Sequence, residues 1–448
     1  MPNPFATVKP CECSSATNSD PTCFYPAIAS AQGHTVERYS ERRYSCSMVQ
    51  MMPRVAIVGA GPTGASLALM LARRGISVTL IEAARDFQRQ FRGEALMPSG
   101  LNALHQMGLD PLLETIPHRP LSAWEFWLSD RRLFRADEPM GATRPCTLVS
   151  QPPLLATLVQ AAQAKPGFEW ISGTAVKDLL WNEHRVAGVL LTDGRTLTAD
   201  LVVGADGRAS AIRQRAELTL KTQPKSIDVL WFKLLAPAGY AADNRFCTVV
   251  KKGRVFSLFH GAEADQLHLA WAISPEEPTE HKNWAATFTA LVPPHLAEHF
   301  RAINDEISSP MRLSVLVGRC DRWHRSGLLL LGDAAHPMSP VRAQGINLAL
   351  RDVIVALNHL VPALRQADPA TAIDRALEAI QAEREPEIIQ AQTLQAHEAS
   401  RGEMLRRFGL LRQGLSIAAP LVGPLVEQVW TRQQQPLREG ITSVQLKV

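Results

Sequence analysis

The chain has 448 residues, 46% of them hydrophobic and 20% charged, enough for two or three units of roughly 150 residues and too apolar for a disordered, collagenous or disulfide-stapled protein. Its net charge is +4, from 47 basic and 43 acidic residues, and no basic run reaches the density of a nucleic-acid stripe. No segment approaches the roughly 20 uninterrupted apolar residues of a membrane span; the nearest, Leu415 to Val426, contains Pro420 and Pro424.

Residues 1–52 differ in composition from the rest. Four of the seven cysteines (Cys11, Cys13, Cys23, Cys46) and three of the four tyrosines lie there, without helical or strand periodicity, which predicts a disordered extension. Lys9 is the only early cation and Pro26 interrupts the apolar stretch, so the segment does not read as a signal peptide. The cysteines lack paired C-x2-C spacing, and no metal site is expected. The sparse cysteines of the body (Cys146, Cys247, Cys320) suit a reduced, cytoplasmic compartment.

The first ordered element is a buried strand from Arg54 to Val58, followed by Gly59-Ala-Gly61-Pro-Thr-Gly64, an apolar helix, and a second strand, Ser77 to Glu82. Gly59 permits the tight turn, Gly61 removes a Cβ that would block a pyrophosphate, and Gly64 lets helix and strand pack closely. The helix N-terminus offers free N–H groups and a positive dipole end to phosphates. Glu82, at the end of the second strand, can accept both ribose hydroxyls and would repel a 2′-phosphate. The bound adenosine is thus unphosphorylated, as in FAD or NAD. No second unit of this type follows, so a single dinucleotide site is expected.

Three further stretches carry signals. Leu201-Val-Val-Gly204-Ala-Asp206-Gly207 runs from strand to turn and onward to Arg213. From Asp228 to Ile273 apolar and polar residues alternate over four strands, bearing Trp231, Phe256, Phe259 and Trp271, which can line an aromatic pocket or fill a core. Gly327 to Leu331, then Gly332-Asp333 and a loop to Gly345, lead into another helix.

With these motifs in order over about residues 53–365, the chain resembles the class A flavoprotein monooxygenases, the para-hydroxybenzoate hydroxylase family. The resemblance implies an α/β fold: a Rossmann-type FAD-binding domain (53–222 and 312–365), an inserted antiparallel-sheet substrate domain (223–311) and a helical C-terminal region (366–448). It implies FAD, with NAD(P)H as electron donor and O2 as co-substrate, acting on an apolar or aromatic small molecule by hydroxylation or epoxidation. A dehydrogenase or reductase without oxygen insertion, and a non-catalytic flavin-binding protein, are the alternatives. By match, Gly59, Gly61, Gly64 and Glu82 hold the ADP half of FAD. Arg92, Gln151, Asp206, Gly207 and Asp333 serve the cofactor, and Pro340 with Gly345, Ile346 and Asn347 lies beside the isoalloxazine ring. His336 reads as a loop hydrogen-bonder. Tyr240 is the only tyrosine after residue 44, which makes the namesake's own activity a poor fit.

One position departs from the family. Arg342-Ala343 stands where many members carry two small residues, often glycines. A guanidinium beside the flavin must meet solvent, a carboxylate, the anionic reduced flavin or an acidic substrate, and the outward, solvated placement is the expectation.

Overall fold

A computed structural model of the protein describes residues 53–88, 95–224, 227–237, 244–263, 265–277, 283–303, 307 and 309–448. The N-terminal extension, Arg92 and Tyr240 fall outside these residues. The glycine-turn unit forms β1 (Arg54–Val58), α1 (Pro62–Ala72) and β2 (Ser77–Glu82). Strands β3 (Ala123–Leu128) and β4 (Arg131–Asp137) follow, then α2 (Gln151–Gln163), β5 (Phe168–Ser172) and β6 (Leu201–Gly204). The next stretch comprises β7 (Asp228–Leu235), β8 (Arg245–Lys251), β9 (Arg254–His260) and β10 (Gln266–Ile273). Helices α3 (Trp284–Leu291) and α4 (Pro294–Ala302) and strands β11 (Met311–Ser314), β12 (His324–Arg325) and β13 (Leu328–Leu330) lead into α5 (Gln344–Leu364), α6 (Pro369–Arg407) and α7 (Gly409–Glu439).

Two sheets organise the molecule. The first has the order β12-β13-β6-β1-β2-β5, parallel except at its β12 edge. Its strands are apolar on both faces because α1, α2 and α5 cover one side and Leu179, Val186, Val189 and Leu191 pack against the other; α1 is buried over all but its first residue. The second sheet has the order β11-β7-β10-β9-β8-β3-β4 and is antiparallel apart from the β8/β3 pair. Helices α3 and α4 seal one face with Phe288 and Phe300.

The domain boundaries expected from sequence differ from this partition. Residues 123–137, placed there in the first FAD-binding stretch, supply β3 and β4 to the second sheet, and β11 extends that sheet to Ser314. The pairing that recruits β3 is with β8, more than a hundred residues downstream, and no local pattern announces it. Residues Met51–Val448 make one compact unit in which the two sheets are interleaved along the chain.

The C-terminal region is two long helices and an extended tail. Pro420 and Pro424 lie inside the continuous α7, so they do not interrupt the apolar stretch, contrary to the sequence-based expectation. By length and composition Val341–Leu364 and Gly409–Glu439 are each long and apolar enough to cross a membrane; the apolar window is 78% buried in the first and 17% buried in the second. Beyond α7 the tail returns across the first domain. There Gln106 Nε2 donates to the Val444 carbonyl at 3.1 Å, and Leu446 N–H donates back to Gln106 Oε1 at 2.7 Å.

Candidate active site

The glycine turn is shaped by contact. Gly59 has φ +99°, and a Cβ there would lie 2.4 Å from the Ala205 carbonyl oxygen; a Cβ on Gly64 would lie 1.9 Å from the Gly59 carbonyl oxygen. A Cβ on Gly61 would meet nothing within 4 Å, so its missing side chain leaves open space. That space faces the start of α1, which opens at Pro62 with no side-chain cap on its first-turn donors. Glu82 closes the turn from β2: Oε2 accepts from Ala60 N–H and Oε1 from Ala84 N–H, both at 2.9 Å. Gly61 and Glu82 line one end of a cavity of about 1850 Å³. Drug-sized ligand pockets are roughly 300–1,000 Å³, so this one has room for a dinucleotide and a second molecule.

The other two motifs meet the same cavity from β6 and β13. Asp206 lines the cavity and also has a structural task that the sequence did not announce. Its Oδ1 accepts from Ser210 Oγ at 2.5 Å and its Oδ2 from Ile212 N–H at 3.1 Å, so the carboxylate closes the turn into the short helix Ala211–Arg215. Burial pushes this carboxyl above the usual carboxylate range, against the lowering effect of those bonds. Gly207 has φ +79°, and a Cβ there would meet nothing within 4 Å, so the backbone is open toward the cavity. Arg213 is buried and donates to the carbonyls of Ala334 and Arg208, tying this turn to the Asp333 loop.

Asp333 and Gln151 line the cavity, the latter as the first residue of α2. A Cβ on Gly345 would lie 3.7 Å from Asp333 Oδ1, so this carboxylate sits beside the first turn of α5. That helix also starts without a side-chain cap, and Gly345 and Ile346 line the cavity with Pro340 just before them. Asn347 is wholly buried: its Oδ1 accepts from Met97 N–H at 2.8 Å and its Nδ2 donates to the Ala95 and Ala343 carbonyls. Its side chain thus staples α5 to the 95–97 stretch, and unlike Gly345 and Ile346 it does not line the cavity, contrary to expectation.

Arg342 is not outward. Its side chain is 11% exposed; its Nε donates to Glu398 Oε1 at 2.8 Å and its Nη2 donates to the same oxygen. The guanidinium carbon lies 5.2 Å from the ring centroid of Trp124 and 4.6 Å from that of Trp430. A carboxylate and two indole faces supply the compensation that solvent was expected to give. Both Arg342 (φ 59°) and Ala343 (φ 49°) are left-handed, which gives a backbone reason for the family's glycines at this turn.

The second sheet turns mainly one face to the cavity. Trp231 and Phe259 line it, meeting edge-on at 5.6 Å, and Phe246 stacks on Phe259 at 4.8 Å and continues toward Trp124 at 4.7 Å. Trp271 does not line the cavity, contrary to expectation. Strand alternation turns its neighbours Ala270 and Ala272 toward the cavity, while Trp271 is 2% exposed beneath α3. Phe256 stands opposite it in register, stacks on it at 5.9 Å and joins the same core, touching the cavity wall as well.

The family described as FAD binding domain matches residues 52–393. The chain belongs to the class A FAD-dependent monooxygenases. The monooxygenase is 34% identical over 361 residues to 6-methylpretetramide 4-monooxygenase of Streptomyces rimosus, covering 76% of this chain and 82% of that one. It is 26% identical over 350 residues to 3-hydroxybenzoate 6-hydroxylase of Klebsiella oxytoca, covering 70% and 80%. Among solved structures, PqsL of Pseudomonas aeruginosa in complex with 2-aminobenzoylacetate superposes with a TM-score of 0.70 at 25% identity, over 81% of this chain and 98% of that one.

The cofactor of this monooxygenase is FAD, with NAD(P)H as electron donor, and its reaction is the hydroxylation of an aromatic small molecule. When bound, the flavin accepts a hydride equivalent and activates O2. The residues fit such a group: an open glycine cradle at one helix N-terminus, an acceptor carboxylate at the ribose end, and a second uncapped helix start further along one cavity. Sequence reasoning misses Glu398, Trp124 and Trp430. One signal is available: Gln392, Gln395 and Glu398, spaced three apart on α6, form a polar stripe that meets the flavin-side loops. Gln395 Nε2 donates to the Ser339 and Val341 carbonyls, and Gln392 Nε2 to that of Gly318.

Proposed function

We propose that this monooxygenase hydroxylates an extended aromatic substrate, of more than one ring, in the aromatic half of its cavity. The single observation carrying the reading is that one cavity of about 1850 Å³ runs from the glycine cradle to Trp231, Phe259 and Trp430. The relative that acts on 6-methylpretetramide supports the same direction. In this reading Gly59, Gly61, Gly64 and the α1 N-terminus hold the pyrophosphate, and Glu82 accepts from the ribose. Asp333 and Gln151 serve the flavin side, and Pro340 with the backbone of Gly345 and Ile346 flanks the ring. The donor N–H groups at the start of α5 stabilise negative charge that develops nearby. Trp231 and Phe259 form the substrate wall and exclude water. NAD(P)H docks transiently near Gly207, there being one glycine cradle among the described residues. A cytoplasmic setting accords with the buried, unpaired thiols of Cys146, Cys247 and Cys320.

The test is a substrate panel with three readouts: NADH consumed, peroxide released and labelled oxygen incorporated from O2. Polycyclic phenols should stimulate NADH use and take up label, where monocyclic benzoates do so weakly. Label uptake confined to monocyclic substrates would overturn the proposed size class.

A further inference from the structure

The box around Arg342 has one unspent donor group. Nε and Nη2 are taken by Glu398 Oε1, and Glu398 Oε2 accepts from Gln434 Nε2 at 2.9 Å; Nη1 has no hydrogen-bond partner among the described residues. The guanidinium is held between two indole faces in the wall of the cavity, and the surrounding Trp124, Phe134 and Trp430 offer no acceptor oxygen from their side chains. Arg342 lines the cavity, so this amino group is a donor left over in its wall, within reach of a ligand's acceptor. A strut between this turn and α6 leaves the amino group without a task, and a ligand that brings an oxygen acceptor gives it one.

We propose that Arg342 Nη1 binds an oxygen substituent, a phenolic or ring-carbonyl oxygen, on the aromatic substrate, and that Glu398 is the positioning residue that fixes the guanidinium for it. This rests on the aromatic-substrate reading above and adds the feature by which substrates are told apart. Because Glu398 offsets the charge, the site selects a hydrogen-bonding oxygen rather than a free carboxylate. A planar ring slides along the indole faces, and the Arg342 contact fixes its register relative to the α5 start. Rings of similar shape without the oxygen forgo this bond and bind more weakly. The guanidinium fork and its stacking also make lysine an incomplete replacement.

The experiment uses the FAD-loaded full chain and two probes that differ by one oxygen, 1-naphthol and naphthalene, with binding read from the flavin absorbance change. The wild type should bind 1-naphthol about tenfold or more tightly than naphthalene. Arg342→Gln should bring the ratio near one with flavin content unchanged, and Arg342→Lys should keep part of it. Glu398→Gln leaves the guanidinium without its counter-charge, so bound naphthol should ionise at lower pH than in the wild type; a purely structural Glu398 would not shift that pH. A naphthol preference that survives Arg342→Gln overturns the inference and leaves the aromatic reading standing. Failure of both probes to perturb the flavin or stimulate NADH use in the wild type overturns both.

Discussion

Asp352 and Arg384 are locked together inside the fold: Arg384 Nε donates to Asp352 Oδ1 at 2.7 Å, and both side chains are fully buried. Asp352 Oδ2 lies 2.8 Å from His336 Nε2 and accepts from Gly332 N–H, at the base of the Asp333 loop. Arg384 continues to Glu387, and Glu387 to Arg351, which donates to the Thr442 carbonyl in the tail. The chain of charges therefore connects the loop beside the cavity with α6 and the C-terminus. His336 is a loop hydrogen-bonder of unforeseen reach.

Removing one member strands the rest. Arg384→Met should destabilise the protein by about 3–5 kcal/mol, because Asp352 and Glu387 lose their shared cation in a dry site. Chemical denaturation of the variant and the wild type checks this; a change below about 1 kcal/mol would mean that water reaches the network.

Acidification should weaken the fold through the same groups. Burial raises the Asp352 carboxyl, but His336 and Arg384 beside it outweigh that and hold it below the usual range. Burial likewise raises Glu387 and Glu398, and Arg384 with Arg351, and Arg342, bring each below its ordinary value. Carboxylates lowered on folding stabilise fully above their unfolded value of about 4, and that stabilisation is lost as pH falls through the folded values. Asp206, raised on folding, works in the opposite sense and recovers stability on acidification. Asp110, Glu125, Asp193 and Glu403 are also held low, so seven lowered carboxyls among the described residues stand against one raised, and the urea midpoint should drop steeply below about pH 4. A flat midpoint there would contradict the ion-pair assignments.

Two glycines three residues apart should fail differently. Gly61→Leu fills empty space, so the protein should fold normally and lose retained FAD. Gly64→Ala drives a methyl into the Gly59 carbonyl oxygen and should lower stability itself. Melting temperature and flavin content, measured on both, separate the outcomes; equal flavin in Gly61→Leu and wild type would move the pyrophosphate elsewhere.

Two tryptophans on adjacent strands should also part ways. Trp271→Ala empties a core position under α3 and should cost about 3–5 kcal/mol of stability. Trp231→Ala removes cavity wall and the bond from its Nε1 to His268 Nδ1, and should raise KM more than it lowers stability. A stable Trp271→Ala would place that side chain in the cavity after all.

The local devices were readable because they are local. The Gly59–Gly64 turn, the alternation from Asp228 to Ile273 and the Gly332-Asp333 step each declare themselves within a few residues. What escaped was pairing at a distance. Ala123–Leu128 sets Trp124 and Phe126 on one face, yet its sheet is chosen by Arg245–Lys251. The direction of Arg342 is decided by Glu398, 56 residues away, and by Trp430 on another helix. Which face of β10 carries Trp271 depends on α3 covering that side, a fact absent from the strand's own alternation.

The Arg342–Glu398 pair also bears on how such a chain can change over generations. A lineage drifting toward a small residue at 342 relieves a left-handed turn but leaves a carboxylate facing Trp430 without its cation. Losing the acid first leaves the cation in the aromatic box alone. Either single step is disfavoured where the paired step is not, so the two positions should be inherited together: relatives with glycine at 342 should lack an acid at 398, and transplanting arginine alone into them should lower the melting temperature until glutamate follows.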